Sequence, residues 1–203
     1  MGSEMCIRDS VCSDFSYYLY RCLLCKLCTY FQDEVEERSL MALSNEIIGF
    51  AAEIVEHLRQ RGETISTAES LTAGAVSSAI VTISGASDVF VGGVTAYRDE
   101  IKVSHLGIDP DLIEKHTVIS EEVAVAMAKG AIKSFGTTWA IGTTGVAGPN
   151  PLDGHPVGAV WVAIEGPISQ TIELSLSGER ESVRNAATSS AIASFARILR
   201  HRA

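Results

Sequence analysis

Cysteine is missing from residue 29 to the end of the chain: all five, Cys6, Cys12, Cys22, Cys25 and Cys28, crowd into the first 28 positions. A cysteine-free remainder excludes a disulfide framework and suits a reducing compartment, so a cytoplasmic protein is expected. Positive charge is also short. Sixteen Lys and Arg stand against 25 Asp and Glu, for a net charge of -9. That balance excludes an extended nucleic-acid surface, which needs a clustered basic face. A small phosphate group can still be held by a local Arg, a Lys or a helix N-terminus. Long apolar runs are lacking too. The segment at residues 16–31, SYYLYRCLLCKLCTYF, is broken by Arg21 and Lys26 and falls short of the ~20 residues a membrane helix needs. It is a poor secretory leader as well, because Asp9 and Asp14 stand where basic residues belong and no small-residue cleavage site follows.

Cys22-x-x-Cys25-x-x-Cys28 has the spacing of a metal motif, but no second pair or nearby histidine completes four ligands. No metal and no cofactor are therefore expected. MCIRDS, residues 5–10, matches the translation of a sequencing adapter. Residues 1–40 are accordingly expected to be a non-native or disordered extension, with the natural start near Met41 and one domain over 41–203. A native extension is the alternative.

From residue 41 the pattern becomes regular, with 46% apolar and 20% charged residues over the whole chain, an ordinary globular composition. NEIIGFAAEIVEHLRQRG spaces Ile47, Phe50, Ala51, Ile54, Val55 and Leu58 along one helical face. TISTA at 64–68 reads as a strand and TAGAVSSAIVTI at 72–83 as a small-residue helix. VFVGGVTAY at 89–97 is a strand in which Gly92-Gly93 suggests a bulge. A short helix ends at Gly107, Pro110 opens another, and Ser120 caps a third rich in alanine. TWAIGTTG is a strand running into a hydroxyl-rich turn. AVWVAIEG and QTIELSLSG pair as a hairpin, and a helix from Glu179 to about Arg200 closes the domain. Interleaved helices and strands predict an α/β fold, a three-layer α/β/α sandwich with a mixed, mostly parallel sheet. Ligands in such folds sit at the turns beyond strand ends. Two turns rich in hydroxyls and glycine qualify, Glu69–Gly74 and Thr143–Gly148.

Ser70 either caps a helix, a task Thr72 can perform alone, or is a nucleophile. Small residues after it expose backbone N–H groups for a phosphate or an oxyanion. Glu69 suits neither ligand and is expected to orient the turn or a substrate hydroxyl. None of the five histidines, His57, His105, His116, His155 and His201, stands where a base for Ser70 belongs. The remaining candidate is the segment AYRDEIK, with Tyr97 at a strand end and Lys102 five residues on. A lysine acts as a base only where burial or neighbouring positive charge favours its neutral form. Arg98 is the nearby cation, and the phenol of Tyr97 can relay the proton. A solvated helix lysine is the plainer reading of Lys102.

Five blocks, TAESLTAG, FVGGVTAYRDEIK, LGIDPDLIEKHTVISEEVAVAMAKGA, TTGVAGP and PVGAVWVAI, together resemble the C-terminal domain of the competence/damage-inducible protein CinA. The stand-alone form of that family is a nicotinamide-nucleotide amidohydrolase of pyridine-nucleotide salvage. The resemblance covers about residues 43–200. It implies deamidation of nicotinamide mononucleotide to nicotinate mononucleotide and ammonia. Ser70 matches the family's nucleophile, and Tyr97 and Lys102 match its tyrosine and lysine. Thr143, Thr144 and Gly145 fall in the substrate-facing turn, with Glu69, Thr72, Ala73 and Gly74 on the opposite turn. Arg180 and Arg184 match an R-x-x-x-R element suited to the nucleotide phosphate. Two positions depart mildly, Leu71 where many relatives have Cys and Ala73 where many have Gly. NPLDGH replaces a loop that is often glycine-rich. The family's other N-terminal domain has no counterpart here, so no pyrophosphatase activity is implied. A small-molecule substrate is the expected partner, with neither nucleic acid nor membrane, and homo-oligomerisation is left open. A nucleotide-binding module without turnover, or a Ser-Lys amidase for another amide, are the alternatives.

Overall fold

The computed structural model describes residues 45–202. The cysteine-rich run, the adapter-like segment and the expected start at Met41 lie outside the described residues.

Helix α1 (Asn45–Arg61) buries Ile47, Ala51, Ile54, Val55 and Leu58, the stripe its spacing predicts. Strand β1 (Ile65–Glu69) is buried along its whole length. Helix α2 (Ala75–Val81) and a 3-10 turn at Ala86–Asp88 lead to strand β2 (Phe90–Thr95). Helices α3 (Asp99–Leu106), α4 (Pro110–His116) and α5 (Glu121–Phe135) follow. The Asp109 carboxylate accepts from the Asp111 amide at the start of α4. Ser120 accepts from Val123 at the start of α5. Strands β3 (Trp139–Gly145), β4 (Ala159–Glu165) and β5 (Gln170–Ser175) precede the long closing helix α6 (Arg180–His201).

The strands form one sheet in the order β2-β1-β3-β4-β5. β1 runs parallel to both β2 and β3, whereas β3–β4 and β4–β5 are antiparallel. The sheet is mixed, as expected: β4 alone runs against the other four strands, so two pairings are parallel and two antiparallel. The reason is connectivity: a parallel pairing needs a crossover, usually a helix, and only a loop joins β3 to β4. The register between β1 and β2 skips Val91, pairing Ile65 with Phe90 and Ser66 with Gly92, so the irregularity falls one residue before the glycine pair.

The two faces of the sheet differ in side-chain size. On one face Ile65, Trp139, Ile141, Val160, Val162 and Ile164 pack against α1, α2 and α6, with Phe195 edge-on to Trp139. Each fully buried side chain of this size contributes about 1.5–3 kcal/mol. On the other face Ala68, Ala140 and Ala163 meet Ala124, Ala128 and Ala131 of α5. Gly142 brings α5 closer still, because a Cβ there would overlap the Ala124 carbonyl. Helices thus cover both faces, giving the three expected layers. Among the described residues no helix is long and apolar enough to cross a membrane.

Candidate active site

The turn after β1 is set by a buried carboxylate. Glu69, 1% exposed, faces the α2 side of the sheet. One of its oxygens accepts from the amides of Gly74 and Val76 at 2.9 and 3.0 Å. The other accepts from the amide and hydroxyl of Ser77 at 2.8 and 2.6 Å. A carboxylate in this place satisfies N–H groups left open at the start of α2 and complements its dipole. Ala73 and Gly74 both have positive φ, 52° and 93°, and the Ala75 amide donates to the Thr72 carbonyl. Positive φ at both central residues marks a type I′ turn. For this reason α2 starts at Ala75 rather than near Thr72.

Ser70 follows directly. Its amide donates to the Thr143 carbonyl, and its carbonyl accepts from the Ala73 amide. Beneath it the hydroxyls of Thr72 and Thr143 are fully buried and 2.8 Å apart. Ser70, Tyr97, Lys102, Thr144, Gly145 and Arg180 all line one cleft of ≈ 490 Å³, a volume usual for a small-molecule site. Six of the expected site residues therefore share one space, and the nucleophile and base candidates are among them.

Lys102 is 2% exposed although it lies on a short helix, Asp99–Leu106, of mostly polar residues. Its Nζ donates to the Asp99 carboxylate at 3.1 Å. Asp99 sits three residues back in the same block and also lines the cleft. Arg98, expected as the cation beside Lys102, is instead exposed and pairs with Glu100 at 3.1 and 3.2 Å. The Glu100 carboxyl is held below the usual range by its own backbone amide and then by Arg98. Tyr97 lies just beyond the end of β2, 54% exposed. Its phenolic oxygen accepts from Arg180 at 2.7 Å, and the same guanidinium donates to the Gly148 carbonyl at 2.7 Å. Arg180 thus spans the cleft mouth.

The other expected residues take different places. Glu69, Thr72, Ala73, Gly74, Thr143 and Arg184 do not line the cleft. Glu69 is spent on α2, so it orients the turn and holds no substrate hydroxyl. Arg184 is directed at the turn: Nε donates to the Leu71 carbonyl at 3.0 Å and Nη2 to the Thr72 carbonyl at 3.1 Å. The expectation of oxyanion donors at Thr72–Gly74 narrows accordingly. The Ala73 and Gly74 amides are committed to Ser70 and Glu69, and only those of Leu71 and Thr72 have no partner among the described residues. None of the five histidines lines the cleft.

Sequence reasoning passed over Val118 and Ile119, and it noted the NPLDGH loop without naming Asn150, Leu152 or Asp153 as site residues; all five line the cleft. The signal was present in part. Val118 and Ile119 fall inside the third quoted block, and Thr117 before them has φ 63° and ψ 165°, a region that costs a non-glycine residue about 1–3 kcal/mol. Hydrogen bonds hold Thr117 there. Its hydroxyl pairs with His155 Nε2 at 3.0 Å, and its carbonyl accepts from Ser120. No group of three or more metal-ligating side chains occurs among the described residues.

A model of the CinA C-terminal domain matches residues 48–199. A CinA-like protein of Myxococcus xanthus is 37% identical over 161 residues, 74% of this chain and 37% of that protein. A CinA-like protein of Synechococcus sp. is 46% identical over 118 residues, 58% of this chain and 28% of that protein. The chain thus spans roughly a third of the length of the curated relatives it matches. Among solved structures, the competence damage-inducible protein A of Klebsiella pneumoniae superposes with a TM-score of 0.74 at 29% identity, over 77% of this chain and 99% of that one. The competence/damage inducible protein CihA of Agrobacterium tumefaciens gives 0.73 at 28% identity, over 77% and 96%. Sequence and fold agree, and the chain belongs to the CinA family through its C-terminal domain.

Proposed function

We propose that this domain is an amidohydrolase that deamidates nicotinamide mononucleotide to nicotinate mononucleotide and ammonia. The observation that carries the reading is the meeting of Ser70 and the buried Lys102 in one cleft, under Tyr97 and Arg180. Neutral Lys102 takes the proton of Ser70, directly or through Tyr97, as Oγ attacks the carboxamide carbon. The carbonyl oxygen gathers negative charge opposite the Leu71 amide, which has no partner among the described residues and belongs to a residue that lines the cleft. The C–N bond breaks, the nitrogen takes the proton back from Lys102, and ammonia leaves. Lys102 then deprotonates a water, which attacks the acyl carbon; the carboxylate product departs and Ser70 regains its proton. Arg180 keeps N–H groups beyond those given to Tyr97 and Gly148 for the substrate phosphate.

One observation favours a second reading, a nucleotide-binding module without turnover. Lys102 Nζ donates to Asp99, and no hydrogen bond joins it to Ser70 Oγ. Catalytic hydrogen bonds are often loose before substrate binds, so the reading with turnover comes first. The exposed NPLDGH segment favours a third, a Ser-Lys amidase for another amide. One experiment separates them: ammonia release from nicotinamide mononucleotide, nicotinamide and simple amides, beside a thermal-shift titration. Release from the nucleotide, lost in Ser70→Ala and Lys102→Ala, supports the proposal. Binding with no ammonia from any amide removes it, and release only from other amides changes the substrate.

A further inference from the structure

A lysine works as a base only if its nitrogen is held in place, and its long stem offers many rotamers. Burial takes Lys102 out of water, but apolar walls give an amine no direction. Direction comes from its own helix. Side chains on a helix lean toward the N-terminus, so the Lys102 stem runs back toward the residue three positions earlier. That residue is Asp99, whose carboxylate accepts from Nζ at 3.1 Å. Among the described residues Asp99 is the one hydrogen-bond and ion-pair partner of Nζ. Tyr97, the other polar group expected beside the amine, is bonded to Arg180 instead. Asp99 and Lys102 both line the cleft with Ser70.

We infer that Asp99 is a positioning residue: by accepting a hydrogen bond it holds the Lys102 amine in one orientation at the cleft. This rests on the amidase reading above. A neutral amine has two N–H groups and one lone pair, set tetrahedrally. A carboxylate oxygen accepts an N–H, so the lone pair turns away from Asp99. It is then left for a proton donor in the cleft, which Ser70 supplies. The charge of a carboxylate has the opposite tendency, because it favours the protonated amine, which is no base. What serves the reaction is therefore the acceptor and not the charge. The plainer role for Asp99 is to complement the helix dipole from the first turn of α3. Glu100 shares that turn and does not line the cleft, so it separates the two roles.

The test uses the full chain with Asp99→Ala, Asp99→Asn and Glu100→Gln, and follows ammonia release from nicotinamide mononucleotide. Asp99→Ala removes the acceptor and should lower kcat about 100-fold, the cost of a base displaced by about 1 Å. KM should stay within about threefold, because a group acting through the base does not hold the bound nucleotide. Asp99→Asn offers an amide oxygen in the same place, so kcat should return to within about tenfold of wild type. Glu100→Gln should leave kcat within about twofold. The Asp99 side chain is 56% exposed, so these variants are expected to fold. Melting curves give the folded fraction, and Asp99→Leu, with the shape of Asn and no acceptor, replaces Ala if Ala does not fold. Equal losses in Asp99→Asn and Asp99→Ala would make charge the contribution and overturn the inference. A matching loss in Glu100→Gln would reduce Asp99 to a dipole partner and overturn it as well. So would a rise in KM with kcat retained, or unchanged kcat in every variant of an active wild type. Wild-type protein that releases no ammonia from any amide overturns the amidase reading and this inference together.

Discussion

Between Glu69 and Gly74 most polar groups of the chain find partners within the protein, while between Gly148 and His155 the chain is largely open to solvent. The first wall of the cleft hangs on a carboxylate with four donors, a type I′ turn and a guanidinium on two carbonyls. Its core-side residues Glu69, Leu71 and Thr72 are buried. The second wall holds together through one backbone pair, Leu152 with His155, around an Asp153–Gly154 tip with φ of 49° and 79°. Among the described residues, side-chain hydrogen bonds from outside reach it only from Arg180 and Thr117. The contrast teaches a division of labour. The turn that carries Ser70 is held by partners at most of its backbone groups, and the loop across the cleft is left adaptable.

Substitutions on the two walls should therefore have unequal effects. The largest is expected for Glu69→Gln. An amide cannot accept from the same four donors, and buried amides of α2 are left unpaired. Stability should fall by about 3 kcal/mol or more, read as a lower urea midpoint with unchanged m, and ammonia release should fall with it. A neutral outcome would show that the first wall is no more rigid than the second. Next comes Arg180→Ala, which unties Tyr97 from Gly148. KM for the nucleotide should rise about tenfold, worth ~1.4 kcal/mol, while kcat stays within about threefold. Full retention of KM would leave the phosphate without its proposed ligand.

Smaller effects sharpen the comparison. Ala73→Gly relieves a left-handed alanine, though it adds freedom to the unfolded chain. A net gain of about 0.5–1 kcal/mol in thermal or urea unfolding is expected. A loss would mean that the turn imposes no strain at this position. The least is expected for His155→Ala on the open wall. Releasing its bond to Thr117 should change stability by no more than about 0.5 kcal/mol. Any change should fall on the choice between nucleotide and simpler amides, measured as the ratio of their kcat/KM values. A stability loss as large as that for Glu69→Gln would erase the distinction between the walls.

Much of the fold was legible because its signals are local. Asp109-Pro110 and Ser120 with two following glutamates mark helix starts, and the stripe from Ile47 to Leu58 needs only a 3.6-residue period. The hairpin of β4 and β5 follows from two alternating runs a few residues apart. The site was legible in a different way. Ser70, Tyr97 and Lys102 were found as pieces of motifs at strand ends, and the parallel pairing of β1 with β2 carries those ends to one edge of the sheet. Less legible was the direction of each polar side chain. Glu69 and Ser70 are adjacent, yet alternation along β1 sends the carboxylate toward α2. Arg180 and Arg184 lie one helical turn apart with the same chemistry. One lines the cleft and bonds to Tyr97 and Gly148, and the other holds the turn after Ser70, because only the docking of α6 decides what each guanidinium meets.

The sequence by itself determined the helices, the strands, the covered sheet and the segments that carry chemistry, since periodicity, capping and turn residues act within a few positions of one another. The tertiary structure alone decided that Lys102 is buried beside Asp99 in the cleft of Ser70, that Glu69 serves α2, and that Arg184 grips Leu71 and Thr72 across 113 and 112 residues of chain. Arg184 and the turn it grips are remote in sequence, as are Lys102 and Ser70, and hydrogen bonds are directional over a few ångströms. Which donor meets which acceptor is settled only when the layers pack.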